Sequence, residues 1–155
     1  MTAEFALITF VVATPIAIAM IYFDVTTMTI PNWLTGGAFA LFAALVYFGL
    51  GLDDFLQRLL GAGIVFAATF LFFALNKMGG GDAKAATGMA LLVAPRDAGF
   101  VLILLAVLGL LLMGGYALAR RASPGGITWA TQLPYGVTLG AALIVYTALV
   151  TFLIN

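Results

Sequence analysis

The sequence predicts an all-α integral membrane protein, a polytopic bundle of about six transmembrane helices. Hydrophobic residues make up 65% of the 155-residue chain and charged residues only 8%, whereas soluble domains carry about 25% charged residues. Such a chain cannot cover a water-facing surface. Its apolar segments reach the length of about 20 residues that a spanning helix requires. We therefore expect one membrane-embedded domain over residues 1–155 and no soluble domain.

Five long apolar segments and one short segment follow one another along the chain. The first carries Glu4, and no Lys or Arg precedes Arg58. Because a signal peptide begins with a positively charged region, residues 4–23 are interpreted as a retained transmembrane helix. The other long predicted spans are 33–52, 55–75, 98–119 and 133–154. Segment 83–94 is marginal for a full span, so it either crosses with help from its flanks or is re-entrant.

Proline and glycine mark special positions within this pattern. Pro31 restricts Ile30 to extended geometry, which predicts a loop or helix break before the second span. Pro15 predicts a kink inside the first helix. Gly136 and Gly140 form a GxxxG motif in the last helix. This motif indicates a face that packs closely against another helix.

The composition excludes several kinds of chemistry. The chain has no histidine and no cysteine. It therefore has no disulfide, no Cys/His zinc site and no Ser-His-Asp machinery. We predict no metal site and no cofactor. The formal net charge is zero, and the absence of a basic patch argues against a nucleic-acid partner. Carboxylates are the first candidates for hydrolytic chemistry.

Two aspartates are predicted to lie at the same membrane face. Asp24 ends the first helix and Asp82 opens the fourth, with two crossings between them. Four basic residues share their face, namely Lys77, Lys84, Arg120 and Arg121. Arg58 and Arg96 lie on the other face. The positive-inside rule then places both aspartates on the cytoplasmic side. This assignment requires segment 83–94 to span, because a re-entrant segment would exchange the sides of the later loops.

The aspartate pair suggests activation of water. An aspartate at the centre of a membrane helix costs about 2.5–3.5 kcal/mol, so both side chains should point inward or into a water cavity. Two carboxylates that share a site hold one proton between them near neutrality. The ionised acid then takes a proton from water while the neutral acid protonates a carbonyl oxygen. We expect Gly79, Gly80 and Gly81 to admit a substrate backbone and to let Asp82 move. Asp82 itself is predicted to occupy the helix N-cap.

The remaining polar residues have simpler interpretations. Lys84 is most simply a positive-inside anchor, and contact with the pair or with an acidic substrate residue is the alternative. Pro31 and Asn32 are expected to shape the turn, with Asn32 hydrogen-bonding near the site. Glu4 is interpreted as a terminal polar group. Three acids fall on the opposite face and are interpreted as solvated turn residues, namely Asp53, Asp54 and Asp97.

Three segments of the chain resemble motifs of one family. FDVTTMTIPNWLT, residues 23–35, resembles the Asp-x5-Ile-Pro-Asn pattern of type IV prepilin peptidases. GGGDAK, residues 79–84, resembles their Gly-x-Gly-Asp-x-Lys box. LPYGVTLGAAL, residues 133–143, is similar to the Pro-aromatic-Gly stretch that opens their last helix. The motifs occur in the order of the family, and the resemblance covers nearly the whole chain.

The resemblance implies a membrane-embedded aspartyl protease of the GxGD type with six helices. Such an enzyme removes short basic leaders from prepilins and pseudopilins at the cytoplasmic face of the bacterial inner membrane. Asp24 and Asp82 would be its catalytic pair, and its partners would be the substrate helix and membrane lipid. The sequence indicates no particular oligomeric state.

Two departures from the family pattern refine this expectation. Larger members carry a cytosolic domain, often with paired cysteines, that is linked to N-methylation of the new terminus. This chain has no cysteine and no such domain, so it resembles the short, peptidase-only branch that serves tight-adherence (Flp) pili. The loop after Asp24 is often basic in relatives, but residues 25–29 read VTTMT here.

Three alternatives remain open on the sequence. The chain could be a preflagellin peptidase or another GxGD intramembrane protease, which substrate choice would distinguish. It could be a small proton-coupled transporter, because intramembrane acids beside broken helices also mark ion paths. Against that hypothesis, both acids lie at one end of the bundle. It could also be a structural subunit of a secretion machine, which would tolerate neutral substitutions of both aspartates.

Overall fold

The computed structural model describes residues 3–47, 51–76, 78–122 and 135–153. These residues form six α-helices and one 3-10 turn, Pro95–Asp97, with no strand among them. The helices are α1 (Ala3–Thr27), α2 (Asn32–Tyr47), α3 (Leu52–Ala74), α4 (Gly80–Leu92), α5 (Ala98–Ala122) and α6 (Tyr135–Leu153). Lys77 and the start of the third motif, residues 133–134, lie outside the described residues. The predicted all-α polytopic bundle is confirmed.

Four of the described helices are long and apolar enough to cross a membrane. These segments are Ala6–Thr27, Leu52–Ala74, Pro95–Ala119 and Tyr135–Leu153. α2 is a shorter apolar helix of 16 residues. α4 has only 13 residues, which gives it a length of about 20 Å at 1.5 Å per residue. The marginal length predicted for this segment is therefore correct.

α4 runs from the end of the bundle that carries Ile30 toward the end that carries Arg58. Its first turn lies beside Ile30, because a methyl group placed on Gly81 would be 3.4 Å from the backbone nitrogen of Ile30. Near its last turn, Nη1 of Arg58 donates a hydrogen bond of 3.2 Å to the backbone oxygen of Leu91. Ile30 precedes α2 and Arg58 lies early in α3. α4 therefore runs antiparallel to α3, and the predicted alternation of helix directions along the chain is correct.

The first helix ends later than predicted. We expected it to end at Asp24, but α1 continues to Thr27. The hydroxyls of Thr26 and Thr27 donate hydrogen bonds of 2.7 Å to the backbone oxygens one turn earlier in the helix. These bonds satisfy the threonine hydroxyls within the helix. Met28, with a φ of 52°, then reverses the chain and donates its N–H to the backbone oxygen of Asp24 at 3.1 Å, a common helix ending.

α1 and α6 are antiparallel neighbours at the centre of the bundle. At one end Gly136 lies against Asp24, and at the other the hydroxyl of Thr151 donates a hydrogen bond of 3.1 Å to the backbone oxygen of Ala6. α2 and α3 pack on α4, and α5 packs on α6. α3 and α5 expose many large apolar side chains, which suits a surface in contact with lipid.

The GxxxG face of α6 is packed as predicted. A methyl group on Gly140 would lie 2.7 Å from Cγ1 of Ile21 and 2.8 Å from the backbone oxygen of Ala17. Ala17 has no exposed surface. Both distances are below van der Waals contact, and one neighbour is backbone that cannot rotate away. The two helices therefore approach each other at a distance that only glycine permits.

Gly140→Ala tests this packing. The added methyl group must push α6 away from α1, so we expect the free energy of unfolding to fall by about 1–3 kcal/mol. Thermal unfolding of the purified protein in detergent measures the change. Gly63→Ala is the matched control, because a methyl group on Gly63 meets nothing within 4 Å. Equal melting temperatures for the two variants would contradict the packing argument.

Candidate functional site

Asp24 lies in the last turn of α1 and is only 4% exposed. The backbone N–H of Val137 donates a hydrogen bond of 3.3 Å to its Oδ2. Val137 is the third residue of α6, and the first four N–H groups of a helix have no partner within that helix. The carboxylate of one helix therefore satisfies an N–H group at the start of another, in a position where the helix dipole also favours a negative charge.

A glycine makes room for the carboxyl group of Asp24. A methyl group on Gly136 would lie 2.8 Å from Cγ, 2.9 Å from Cβ and 2.9 Å from Oδ2 of Asp24. No side chain larger than hydrogen fits there without moving the carboxyl group. The sequence argument named Gly136 in a packing motif and in the Pro-aromatic-Gly stretch, but not as a neighbour of the aspartates. The structure places it directly against the predicted site.

Asp82 is the third residue of α4 rather than its N-cap. The N-cap is Gly79, and Gly80 and Gly81 already belong to the helix. The carboxylate turns back and accepts a hydrogen bond from the backbone N–H of Gly79. An acidic residue at this third position commonly reaches back to the N-cap in this way. The prediction of an N-cap was therefore wrong by one helical turn, because the glycines were assigned to the loop.

The glycines before Asp82 allow close contact rather than free movement. A methyl group on Gly81 would lie 3.5 Å from Cβ of Ile30, and one on Gly80 would lie 3.2 Å from Cε2 of Phe73. Only Gly79 has an extended backbone, with φ −70° and ψ 144°. The expected flexible hinge over Gly79, Gly80 and Gly81 is thus replaced by a packed helix start, which fixes the direction of Asp82.

The two aspartates lie at the same end of the bundle. The negative charge of Asp24 acts electrostatically on Asp82, and the contacts described above place the start of α6 beside one residue and the loop at Ile30 beside the other. Asp82 is partly exposed while Asp24 is buried. The prediction that both lie at the same end is correct. The arrangement offers two neighbouring carboxyl groups, one of them open to solvent or substrate.

The Ile-Pro-Asn segment supports this end of the bundle. Ile30 is 6% exposed, and Pro31 directly precedes α2, where its backbone oxygen accepts a hydrogen bond of 3.1 Å from the N–H of Leu34. Oδ1 of Asn32 accepts a hydrogen bond of 3.1 Å from Nζ of Lys84. Asn32 therefore bonds near the site as expected, and Lys84 links the start of α4 to the start of α2.

A second polar cluster lies toward the opposite end of the bundle, and the sequence argument missed it. The hydroxyl of Tyr146 donates a hydrogen bond of 3.0 Å to Oδ2 of Asp97. The side chain of Asp97 is 22% exposed, so its interpretation as a freely solvated turn residue was wrong. Arg58, expected on the same face, is 3% exposed. An ionisable residue inside an apolar span indicates a functional site. Arg58 is such a residue, so the sequence could have pointed to this cluster.

An apolar cleft of the bundle is separate from both aspartates. It has a volume of about 380 Å³ and lies between α3, α4 and α5. Its lining is largely apolar, with Gln57 and Arg58 as its polar members. Neither Asp24 nor Asp82 contributes to this cleft. The chemistry suggested by the carboxyl pair therefore belongs to the end of the bundle where α1, α4 and α6 meet.

Comparison with known protein families identifies the chain. The comparisons with curated proteins and with solved structures give no significant match. A family model described as the type IV leader peptidase family matches residues 11–114. The matched region contains Asp24, the Ile-Pro-Asn segment and Asp82, and it ends before α6. Since it covers more than half of the sequence, the chain belongs to the type IV leader peptidase family and is a multi-pass membrane protein of a peptidase class.

Proposed function

We propose that the protein is a membrane-embedded aspartyl endopeptidase that removes the short leader from prepilins and pseudopilins. The observation that supports this proposal most directly is the placement of Asp24 and Asp82. They lie at one end of the bundle, interact electrostatically and both fall within the region matched by the family model. The absence of cysteine from the chain favours the peptidase-only form that serves Flp-type pili.

The carboxyl pair carries the proposed reaction. One aspartate is ionised and removes a proton from a water molecule, whose oxygen attacks the scissile carbonyl carbon. The other is protonated and donates its proton to the carbonyl oxygen. When the tetrahedral intermediate collapses, the carbon–nitrogen bond breaks and the leaving amine takes the proton that the first aspartate had removed from water. A hydroxyl of the intermediate returns its proton to the second aspartate as the new carboxyl group forms. The pair is thereby restored to one ionised and one protonated acid, so no metal or cofactor enters the proposal.

The contacts of each aspartate serve this chemistry. The N–H of Val137 holds one oxygen of Asp24 at 3.3 Å, and the N–H of Gly79 holds the carboxylate of Asp82. Each carboxyl group is thus held by a backbone N–H, and Asp82 is the one that is partly exposed to water or substrate. Such fixed donors orient the reacting groups before the substrate arrives, which is how much of enzymatic rate acceleration is obtained.

The substrate is proposed to approach from the membrane. A prepilin is an apolar helix behind a short basic leader, so it can lie against the bundle with its scissile bond level with the two aspartates. The helix must unwind locally to expose a carbonyl group. Gly79 is exposed and extended, so its backbone can pair with the unwound segment. Gly80 and Gly81 are helical, so we no longer propose that their backbone pairs with the substrate.

The proposed orientation places the aspartates on the cytoplasmic side of the bacterial inner membrane. Lys84 lies at their end of the bundle and Arg121 near the end of α5, while Arg58 and Arg96 lie toward the opposite end. The bias of basic residues toward the aspartates' end supports this orientation. Cleavage of preflagellin instead of prepilin would assign the same chemistry to the alternative substrate class.

Asp24→Asn and Asp82→Asn test the reaction. An amide neither accepts the water proton nor supplies a proton, so we expect each substitution to lower cleavage by about a thousandfold or more. The assay incubates purified protein in detergent with a Flp-type prepilin and follows loss of the leader by gel and mass spectrometry. Asp53→Asn is the matched control, because Asp53 is exposed at the start of α3. Substantial cleavage by either site variant would refute the pair.

Gly136→Ala tests the space beside Asp24. Its methyl group would lie 2.8 Å from Cγ of Asp24 and must displace the carboxyl group. We expect kcat to fall by about 10- to 100-fold, the effect of a misplacement on the order of 1 Å. Gly109→Ala is the control, since its methyl group would meet only Cγ2 of Thr138 at 3.9 Å. Wild-type turnover by Gly136→Ala would show that the carboxyl group has no required position there.

A further inference from the structure

The end of α4 that lies away from Asp82 is held by buried hydrogen bonds from two other helices. Nη1 of Arg58, on α3, donates to the backbone oxygen of Leu91 at 3.2 Å. The hydroxyl of Tyr146, on α6, accepts a bond of 2.9 Å from the N–H of Ala94 and donates one of 3.0 Å to Asp97. Arg58 and Tyr146 are 3% and 2% exposed, so their bonds to Leu91 and Ala94 are shielded from solvent.

These bonds satisfy backbone groups that would otherwise have no partner where a helix ends inside the bundle. The last four carbonyl groups of a helix have no partner within it, and Leu91 is the penultimate residue of α4. At membrane depth no bulk water is available to satisfy such groups, and each unsatisfied group costs several kcal/mol. Arg58 and Tyr146 supply partners where the backbone leaves α4, and they tie this end of the helix to α3 and to α6.

α4 connects this polar cluster to the aspartate pair. Asp82 and Leu91 lie near opposite ends of one 13-residue helix, separated by nine residues or about 14 Å along its axis. Gly88 fixes the middle of the helix, because a methyl group there would lie 3.1 Å from Cβ of Ala38 on α2. A short helix packed in this way moves as a rigid body. A shift or rotation at Leu91 therefore reaches Asp82.

α6 closes the same connection from the other side. Tyr146 contacts the chain just after α4, while Val137, on the same helix, bonds Asp24. The two residues are nine positions apart, or about 14 Å along α6. One aspartate is thus carried by α4 and the other is bonded by α6, and Tyr146 joins these two helices at their far side. We call this arrangement the frame. It consists of α4 and α6, joined at one end by the two aspartates and at the other end by Tyr146.

We propose that Arg58 and Tyr146 are positioning residues for the reaction of Asp24 and Asp82. They touch neither aspartate. They fix the axial position and the rotation of α4, and through α4 they set where the carboxyl group of Asp82 lies relative to Asp24. This inference rests on the proposed peptidase function, but the geometry of the frame can be measured without any substrate.

Turnover kinetics provide the first test. Tyr146→Phe keeps the ring and removes both hydrogen bonds, so we expect kcat to fall by about 10- to 100-fold with KM unchanged. Arg58→Met should lower kcat in the same way, and Arg58→Lys should recover part of it because Lys still donates to Leu91. A rise in KM at constant kcat would overturn the inference.

A cross-linking measurement separates the frame from the proposed function. The chain has no cysteine, so Ile30→Cys combined with Gly81→Cys gives a single thiol pair. The Cβ positions are 3.5 Å apart, within the range of about 3.5–4.5 Å found in disulfides. We expect rapid oxidation in the otherwise wild-type chain and a slower rate when Tyr146→Phe is added. Ile30→Cys with Gly99→Cys, near the opposite end, should not cross-link.

The two measurements give distinct outcomes. If no prepilin is cleaved by wild type but Tyr146→Phe slows the cross-link, the peptidase proposal fails and the frame stands. If wild type cleaves and Tyr146→Phe changes neither kcat nor the cross-linking rate, the positioning role is wrong. Should Tyr146→Phe fold poorly, Asp97→Ala removes the acceptor of the tyrosine hydroxyl together with the 3.9 Å contact between Asp97 and Nε of Arg96, and Arg96→Ala removes that second contact alone. Slower cross-linking by Asp97→Ala than by Arg96→Ala supports the frame, and equal rates contradict it.

Discussion

The close approach of α6 to α1 is the constraint on which the rest of the structure depends. At Gly140 the helices meet through backbone and a single isoleucine side chain. That contact brings the first turn of α6 to the last turn of α1, where the N–H of Val137 reaches Asp24. A carboxyl group that is 4% exposed needs such a partner, since an unsatisfied buried polar group is costly. Packing and site chemistry thus use the same helix face.

α4 extends this logic to the second aspartate. Glycines at its start let it pack against Ile30 and Phe73, and Asp82 satisfies the N–H of Gly79. Its far end is satisfied by Arg58 and by the hydroxyl of Tyr146. Every part of α4 is therefore set by a neighbouring helix. A helix of 13 residues would be marginal alone, and the bundle supplies what its own length does not.

Hydropathy and helix parity were sufficient to predict the six helices and the shared end of the two aspartates. The exact helix ends were not predictable in the same way. Thr26 and Thr27 extend α1 through bonds to the preceding turn, and Gly80 and Gly81 are helical because packing offsets their low propensity. The polar cluster was missed because its bonds join residues 33, 49 and 52 positions apart, a separation that no local pattern reports.

The shortness of α4 has a consequence for the chain that follows it. A helix of about 20 Å is shorter than a hydrocarbon core of about 30 Å, and it is followed at once by the turn Pro95–Asp97. Most side chains of α4 are buried or half-buried, and α2, α3 and α6 pack against it, so protein rather than lipid surrounds this helix. Non-helical backbone at membrane depth is tolerated only where protein or a water-filled cavity encloses it. The contacts of the turn with α3 and α5 therefore insulate the backbone after α4 from lipid.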